Sequence, residues 1–186
     1  MELNFNSIVK AQRFLEPFKL RTPLRYYPAL SQDVECDVYV KHENFNLSGA
    51  FKIRGGMYYI GTMPDELKRK GVVAVTRGNH GLGLAIAGRT FGVPVTIIVP
   101  KNNSLGKNKL IRAYGAQLIE YGNDYDDARE YCESYIIETE RIYVHTANEP
   151  KIISAAGTCT LEIFEDLSDA DYIILPIGGG GLISGS

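Results

Sequence analysis

Short apolar runs alternate with longer amphipathic stretches through the middle of the chain. Four runs predict strands, namely GVVAVT, VPVTIIV, AQLIEYG and RIYVHT. The stretches between them predict helices over about Asn79–Phe91, Ser104–Tyr114 and Tyr125–Glu138. Strands that alternate with helices are typical of a parallel sheet covered on both faces. We therefore expect their carboxyl ends, where ligands usually bind, to share one edge.

The flanking segments have a less regular pattern. Residues 6–16 predict a helix capped by Asn6 or Ser7, and Val38–Lys41 alternates like a strand. Further helices are expected from near Phe51 to Ile60, from Pro64, and from residue 150 to about Glu165. The last of these leads into DYIILPI, which predicts a strongly apolar strand ahead of Gly178.

Composition narrows the classes of function. The 186 residues are 45% hydrophobic and 23% charged, with a net charge of −2 and no basic block. Nucleic acid and anionic membrane are therefore not expected as partners. No run approaches the roughly 20 apolar residues of a membrane helix, and the N-terminus has no secretory pattern, so we expect a cytoplasmic protein.

The cysteines and histidines are scattered. Cys36, Cys132 and Cys159 are far apart in the sequence, which predicts free, buried thiols in a reducing compartment. The histidines are equally dispersed, so no metal site is expected.

Four consecutive glycines, Gly178, Gly179, Gly180 and Gly181, follow the last apolar run. At the start of a helix, glycines let the backbone approach a ligand and present free N–H groups to an anion. This pattern predicts a phosphate cradle, and its structural alternative is a sharp turn between strand and helix. It does not fit a Walker loop, and Ser184 stands where a dinucleotide fingerprint has its third glycine.

Two more glycine-bearing segments carry candidate chemistry, TRGNHGLG and SGAFKIRGG. In the first, Asn79 and His80 stand at the end of a predicted strand, either as ligand-binding groups or as a helix cap and a structural histidine. In the second, Lys52 lies between Phe51 and Ile53. An apolar setting lowers the pKa of a lysine, and its neutral amine is a nucleophile that forms Schiff bases. The alternative is a lysine whose stem packs while its ammonium reaches water.

A phosphate cradle, a desolvated amine and a polar turn together suit pyridoxal phosphate. The chain resembles the fold-type II pyridoxal-phosphate enzymes, specifically the threonine/serine dehydratase and serine racemase group. The resemblance covers nearly the whole chain, through LRTPL, KHENFNLSGAFKIRGG, TRGNHGLGLA, VPVTIIVP, AYGAQL, HTANEP and PIGGGGLISG.

The resemblance implies a role for each matching position. Lys52 would form the Schiff base and remove the substrate Cα proton, Phe51 would pack against the cofactor ring, and Asn79 would bond the ring hydroxyl. Gly178, Gly179, Gly180, Gly181 and Leu182 would form the phosphate loop. The substrate carboxylate would be held by Ser48, Thr76, Arg77, Gly78 and His80. The implied reaction is β-elimination of a hydroxyamino acid to a 2-oxo acid and ammonia.

The implied fold is α/β, with two three-layer α/β/α domains built on mostly parallel sheets. Residues 1–60 and 147–186 would belong to the large cofactor-binding domain, and residues 61–146 would form the small one. The family continues well beyond its glycine loop, so we expect the larger domain to be incomplete and this chain to be inactive alone. Relatives of this kind suggest a homodimer for the full-length form.

The sequence departs from the group at Arg77, where a small residue is usual. A guanidinium stays protonated, so Arg77 disfavours racemase activity, and it would pair either with a substrate carboxylate or with a neighbouring acidic residue. Ala147 and the stretch Ser154–Thr158 also differ from the group, which leaves the substrate open between serine, threonine and another hydroxyamino acid. Two alternative functions remain, a Rossmann-type nucleotide-binding protein and a non-catalytic remnant.

Overall fold

The computed structural model describes residues 2–186. Eight α-helices lie within that range, α1 (Phe5–Leu15), α2 (Pro28–Val34), α3 (Lys52–Gly61), α4 (Asp65–Lys70), α5 (Asn79–Phe91), α6 (Leu105–Ala113), α7 (Tyr125–Thr139) and α8 (Pro150–Asp166). The strands of the same range are β1 (Leu24–Tyr26), β2 (Tyr39–Lys41), β3 (Val72–Val75), β4 (Val95–Val99), β5 (Gln117–Glu120) and β6 (Ile142–Tyr143). Short 3-10 turns add Glu16–Phe18, Glu43–Phe45 and Ile183–Gly185.

The predicted alternation of strands and helices is confirmed. Strands β3 to β6 form one parallel sheet in the order β5-β4-β3-β6, with Val72 paired to Val95 and Thr96 to Gln117. Helix α5 has the predicted bounds. Strands β1 and β2 pair separately and antiparallel, with Leu24 opposite Lys41.

Alternation along β3 divides its apolar side chains between the two faces of the sheet. Val72 and Ala74 join the larger core, which also holds apolar residues of α3, α5 and α6. Val73 and Val75 face the other way and pack with Ala128 and Cys132 of α7. The whole of β3 is therefore buried, as expected for a parallel strand with helices on both faces.

A close approach of two helices brings the starts of α3 and α5 together. A Cβ atom built on Gly56 of α3 would lie 2.5 Å from the Gly83 carbonyl oxygen of α5. One built on Gly83 would lie 2.8 Å from the Lys52 carbonyl oxygen. Only residues without a side chain permit these backbones to touch, so the two glycines fix how α3 crosses α5.

A buried ion network joins α3 to α8 and to the segment after β2. Arg54 of α3 donates to Glu162 of α8 at 2.5 and 2.9 Å and to Glu43 at 2.7 and 2.9 Å. Lys41 reaches Glu162 at 2.7 Å. Burial opposes the charge of Arg54, but the hydrogen bonds to Glu162 and Glu43 outweigh it and raise the pKa of Arg54.

Several local predictions were wrong. The residue that caps α1 is Asn4, and not Asn6 or Ser7 as predicted. The Asn4 side chain accepts from the Ser7 backbone N–H, while the Ser7 hydroxyl accepts from the Asn4 backbone N–H. Cys36 is exposed, whereas Cys132 and Cys159 are buried free thiols as expected. Strand β1 and helix α2 were not predicted.

The segment DYIILPI was also mispredicted as a strand. Within residues 2–186 no strand pairs with it, and Tyr172, Ile174 and Ile177 are exposed. An apolar strand becomes regular only when neighbouring strands satisfy its backbone groups and cover its side chains.

Among residues 2–186, no helix combines the length and the apolar content required to cross a membrane. The parallel sheet lies wholly between residues 72 and 143, within the segment predicted as the small domain. The division into domains itself stays a prediction.

Candidate active site

The segment Val144–Ala147 follows the carboxyl end of β6 and contacts Lys52, His80 and the glycine loop. The backbone carbonyl of Val144 lies 3.3 Å from His80 Nε2, and that of Thr146 accepts from Lys52 Nζ at 2.9 Å. The glycine loop packs against Ala147. Parallel strands place such segments at the ligand-binding edge of a sheet, and here one of them connects an amine, a histidine and a glycine loop.

Lys52 is the first residue of α3, so its position follows from the crossing of α3 and α5. Its ammonium lies 5.2 Å from the centre of the Phe51 ring. The side chain is half-buried, and burial lowers the pKa of Lys52 below its ordinary value. Loss of the proton is thereby made easier, which favours the nucleophilic form of the amine.

The turn Thr76–His80 connects the end of β3 to the start of α5. The Thr76 hydroxyl accepts from the Gly78 backbone N–H at 3.1 Å, which shapes the turn. Asn79 begins α5 and is half-buried, and its Oδ1 accepts from Lys107 Nζ of α6 at 2.9 Å. Asn79 lies one helical turn before Gly83, where α5 touches the Lys52 backbone. The amide and the amine are thus carried on the meeting ends of two helices.

His80 is almost fully enclosed, with 2% of its surface exposed. Its Nε2 pairs with the Val144 carbonyl, while Nδ1 has no hydrogen-bond partner in the described part of the chain. Burial, aided by the nearby charge of Lys52, lowers the pKa of His80 to about 3. His80 is therefore neutral near pH 7, and the Nε2 proton donates to Val144 in this arrangement.

The glycine loop rests on the segment that accepts from Lys52. A Cβ atom on Gly179 would lie 3.0 Å from Ala147 Cβ, and one on Gly181 would lie 3.1 Å from Ala147 Cα. Gly180 has a φ of +86°, a left-handed conformation that favours glycine. The loop ends in the turn Ile183–Gly185, where the Ser184 N–H bonds the Gly180 carbonyl at 3.0 Å.

Leu182 and Phe51 lie in one apolar cluster. Leu182 is buried with Ala156 and Cys159 of α8, and Phe51 packs against this group. The residue after the glycine loop and the residue before Lys52 therefore belong to the same apolar cluster. This cluster gives the site an apolar wall beside its amine.

The structure locates the other predicted substrate-binding residues without testing their roles. Ser48 is buried and donates to the Ala50 carbonyl at 2.8 Å, whereas Arg77 is exposed. These roles, and those of Lys52, Asn79 and the glycine loop, stay predictions.

Sequence reasoning missed the parts of the site that depend on tertiary contacts. Thr146 and Ala147 lie in the motif HTANEP, for which no role was predicted, although its position after a strand was a usable signal. Lys107 gave no sequence signal. Gly56 and Gly83 lie inside helices, where glycine is unfavourable, so their positions within the motifs were a usable signal of a close backbone contact.

Comparison with known proteins finds relatives that match nearly the whole chain. The L-threonine ammonia-lyase of Thermotoga maritima is 41% identical over 183 residues, which cover 98% of this chain and 46% of that protein. A catabolic L-threonine dehydratase of Staphylococcus aureus is 34% identical over 98% of this chain and 53% of its own length. The chain thus spans about half the length of the curated relatives it matches.

Solved structures of similar proteins superpose on nearly the whole chain. Maize serine racemase superposes with a TM-score of 0.95 at 34% identity, covering 100% of this chain and 56% of its own. The processed form of threonine deaminase isoform 2 from Solanum lycopersicum gives 0.87 at 26% identity, covering 98% and 52%. The family described as pyridoxal-phosphate dependent enzyme matches residues 15–186. The fold is therefore the α/β fold of type II, and the chain belongs to the pyridoxal-phosphate-dependent enzyme family.

Proposed function

We propose that the protein is an ammonia-lyase that uses pyridoxal phosphate to convert a small hydroxyamino acid into a 2-oxo acid and ammonia. The observation that carries the proposal is the convergence at Thr146–Ala147. The Lys52 amine bonds the Thr146 carbonyl at 2.9 Å, and Gly179 packs against Ala147. An amine for an aldehyde and a cradle for a phosphate thus lie beside the same dipeptide.

The residues present fit the cofactor. Burial lowers the pKa of Lys52, as required of an amine that bonds an aldehyde. Gly178 and Gly179 are exposed, so their backbone is open to a phosphate. Phe51 and Leu182 provide an apolar wall for a planar ring. Bound here, pyridoxal phosphate supplies a ring that stabilises negative charge at the substrate Cα.

Each residue has a proposed task. Lys52 Nζ holds the cofactor aldehyde and then moves the substrate Cα proton, for which a lowered pKa is favourable. Asn79 donates to the ring hydroxyl, and Phe51 covers one side of the ring. The glycine loop with Leu182 binds the phosphate. Ser48 and the turn Thr76–His80 hold the substrate carboxylate and so orient the Cα–H bond.

His80 serves this turn through its backbone. Its imidazole is enclosed and paired with the Val144 carbonyl, which fixes the first turn of α5. Arg77 is exposed at the same turn and stays protonated. We propose that Arg77 pairs with a substrate carboxylate, and that it cannot serve as the neutral acid-base group that a racemase needs on a second face.

L-Threonine is the first substrate to test, because the curated relatives of this chain include an L-threonine ammonia-lyase and an L-threonine dehydratase. L-Serine is the second, because maize serine racemase and a fungal L-serine ammonia-lyase share the fold. We further propose a cytoplasmic homodimer in which residues 1–60 and 147–186 belong to the large domain and residues 61–146 form the small one. The site would then lie between the two domains, with Asn79 on one and Lys52 on the other.

The decisive experiment treats the full-length protein with pyridoxal phosphate and borohydride, then maps the modified lysine by mass spectrometry. We expect the pyridoxyl mass on Lys52, and formation of a 2-oxo acid from L-threonine or L-serine that Lys52→Ala abolishes. Lys151 is the matched control, because burial also lowers its pKa and its Nζ donates to the Thr62 carbonyl at 3.0 Å. Modification of Lys151 in place of Lys52, or no modification, would overturn the proposal.

A further inference from the structure

The ion–dipole pair of Lys107 and Asn79 joins α6 to the first residue of α5. Lys107 Nζ lies 2.9 Å from Asn79 Oδ1. We infer that Lys107 is a positioning residue that turns the Asn79 amide so that its NH2 group faces the cofactor, and that its charge favours the ionised form of the oxygen bound there. This inference rests on the proposed function, in which Asn79 donates to the cofactor ring hydroxyl.

The chemistry of the pair determines which end of the amide is used. An ammonium has three donors and no acceptor, so it pairs only with the carbonyl end of an asparagine. With Oδ1 occupied by Lys107, the remaining end is a donor. Asn79 is thereby committed to donating, which is the role required toward an ionised hydroxyl.

Helix α6 holds Lys107 in this position. Ser104 caps the helix by accepting from the Lys107 backbone N–H. The next residue, Asn108, is buried and accepts from Asn103 at 2.7 Å. These contacts fix the first turn of α6, from which the Lys107 side chain extends to α5. The pair is therefore built from two ordered helix starts and not from a chance meeting of surface groups.

The turn before Asn79 leaves room for the ammonium. A Cβ atom on Gly78 would lie 2.7 Å from Lys107 Nζ and 2.6 Å from its Cδ. Any larger residue at position 78 would displace Lys107 from the Asn79 amide. Gly78 of the TRGNHGLG motif thus leaves the space that the Lys107 side chain occupies, in addition to any contact that Gly78 makes with the substrate.

The charge of Lys107 adds to the effect of orientation. Lys107 and Asn79 are both half-buried, so water screens the electrostatic interaction between the ammonium and the amide only in part. A cation at this distance polarises the amide and strengthens its donation at the other end. A negative oxygen beyond the amide is stabilised, which a neutral side chain at position 107 would not achieve.

The test uses the full-length protein with pyridoxal phosphate as the probe. Lys107→Met, Lys107→Arg, Asn79→Ala and the double variant Asn79→Ala/Lys107→Met are titrated and compared by cofactor Kd and by the ratio of visible to near-ultraviolet absorbance. We expect Lys107→Met to weaken binding about tenfold and to shift the spectrum toward the near-ultraviolet form with a neutral hydroxyl. Lys107→Arg should restore both, and circular dichroism confirms folding. Lys109→Met, exposed on the same helix, is the matched control and should equal wild type.

The double variant separates positioning from general packing. If Lys107 acts through Asn79, the double variant should bind the cofactor no more weakly than Asn79→Ala alone. Fully additive losses, or a Lys107→Met variant with wild-type affinity and spectrum, would overturn the inference while leaving the proposed function intact. Wild-type protein that fails to bind the cofactor at Lys52 would overturn both.

Discussion

Gly56 and Gly83 touch backbone to backbone where α3 crosses α5, with 2.5 Å between the position of a Gly56 Cβ and the Gly83 carbonyl oxygen. Each glycine lies one turn after the first residue of its helix, and those first residues are Lys52 and Asn79. One crossing therefore sets the separation of the candidate amine and the candidate amide. Geometry of this kind is sensitive to a single added methyl group.

Gly83→Ala should reduce both stability and cofactor binding. The new Cβ would lie 2.8 Å from the Lys52 carbonyl oxygen, so the helices must separate. Overpacking of this type costs about 1–3 kcal/mol of unfolding free energy, which urea denaturation measures. Gly106→Ala in α6 is the control, because its nearest neighbour would be 4.0 Å away, and it should be neutral or slightly stabilising. Equal stability of the two variants would contradict this account of the crossing.

The hydrophobic pattern of the sequence predicted some elements of the fold well and others poorly. The sequence pattern predicted α5 to the residue and the presence of all four strands of the parallel sheet. The signal is strongest for β3 and β4, which are buried along their whole length and continuously apolar. It failed for DYIILPI, where the same apolar character occurs without a partner strand among residues 2–186. The hydrophobic pattern of a segment indicates which of its side chains can be buried. Whether they are buried depends on the strands and helices that pack beside the segment.

The candidate site was only partly predictable for a related reason. Lys52, Asn79 and the glycine loop carry local patterns, so the sequence indicates them. Thr146 acts through a backbone carbonyl, and Lys107 acts from another helix. Neither role depends on a local pattern, and both arise from the way helices pack around the sheet.

Arg54→Met should be far more damaging than Arg21→Met. Arg54 is buried and bonds Glu43 and Glu162, so its loss leaves the buried Glu162 carboxylate with Lys41 alone and deprives the half-buried Glu43 of its ion-pair partner. Breaking a buried pair from one side costs about 3–5 kcal/mol. Arg21 pairs with Glu165 and Asp166 at the surface, where such pairs contribute less than about 1 kcal/mol. Urea denaturation of both variants gives the comparison, and similar losses would contradict a structural role for the buried network.

Of the three cysteines, Cys36 should react with a thiol reagent far faster than the others in the native protein. Cys36 is exposed, whereas Cys132 and Cys159 are buried. Burial raises the pKa of Cys132 to about 11 and also raises the pKa of Cys159, so both lack thiolate at neutral pH. Mass spectrometry after brief labelling should find the adduct on Cys36, and Cys36→Ser should remove the fast phase. Rapid labelling of Cys159 without denaturant would show that α8 opens readily.

His80 should make the protein less stable as the pH falls. Burial lowers its pKa from 6.5 to about 3 in the folded state, so between these values the unfolded chain binds more protons. Stability is then complete above about pH 6.5 and declines below it, by about 2 kcal/mol between pH 7 and pH 5. His80→Gln keeps a donor for the Val144 carbonyl but does not titrate, so it isolates this contribution from those of the carboxylates. Urea denaturation at both pH values should give a smaller loss for the variant, and equal losses would mean that His80 is protonated without unfolding.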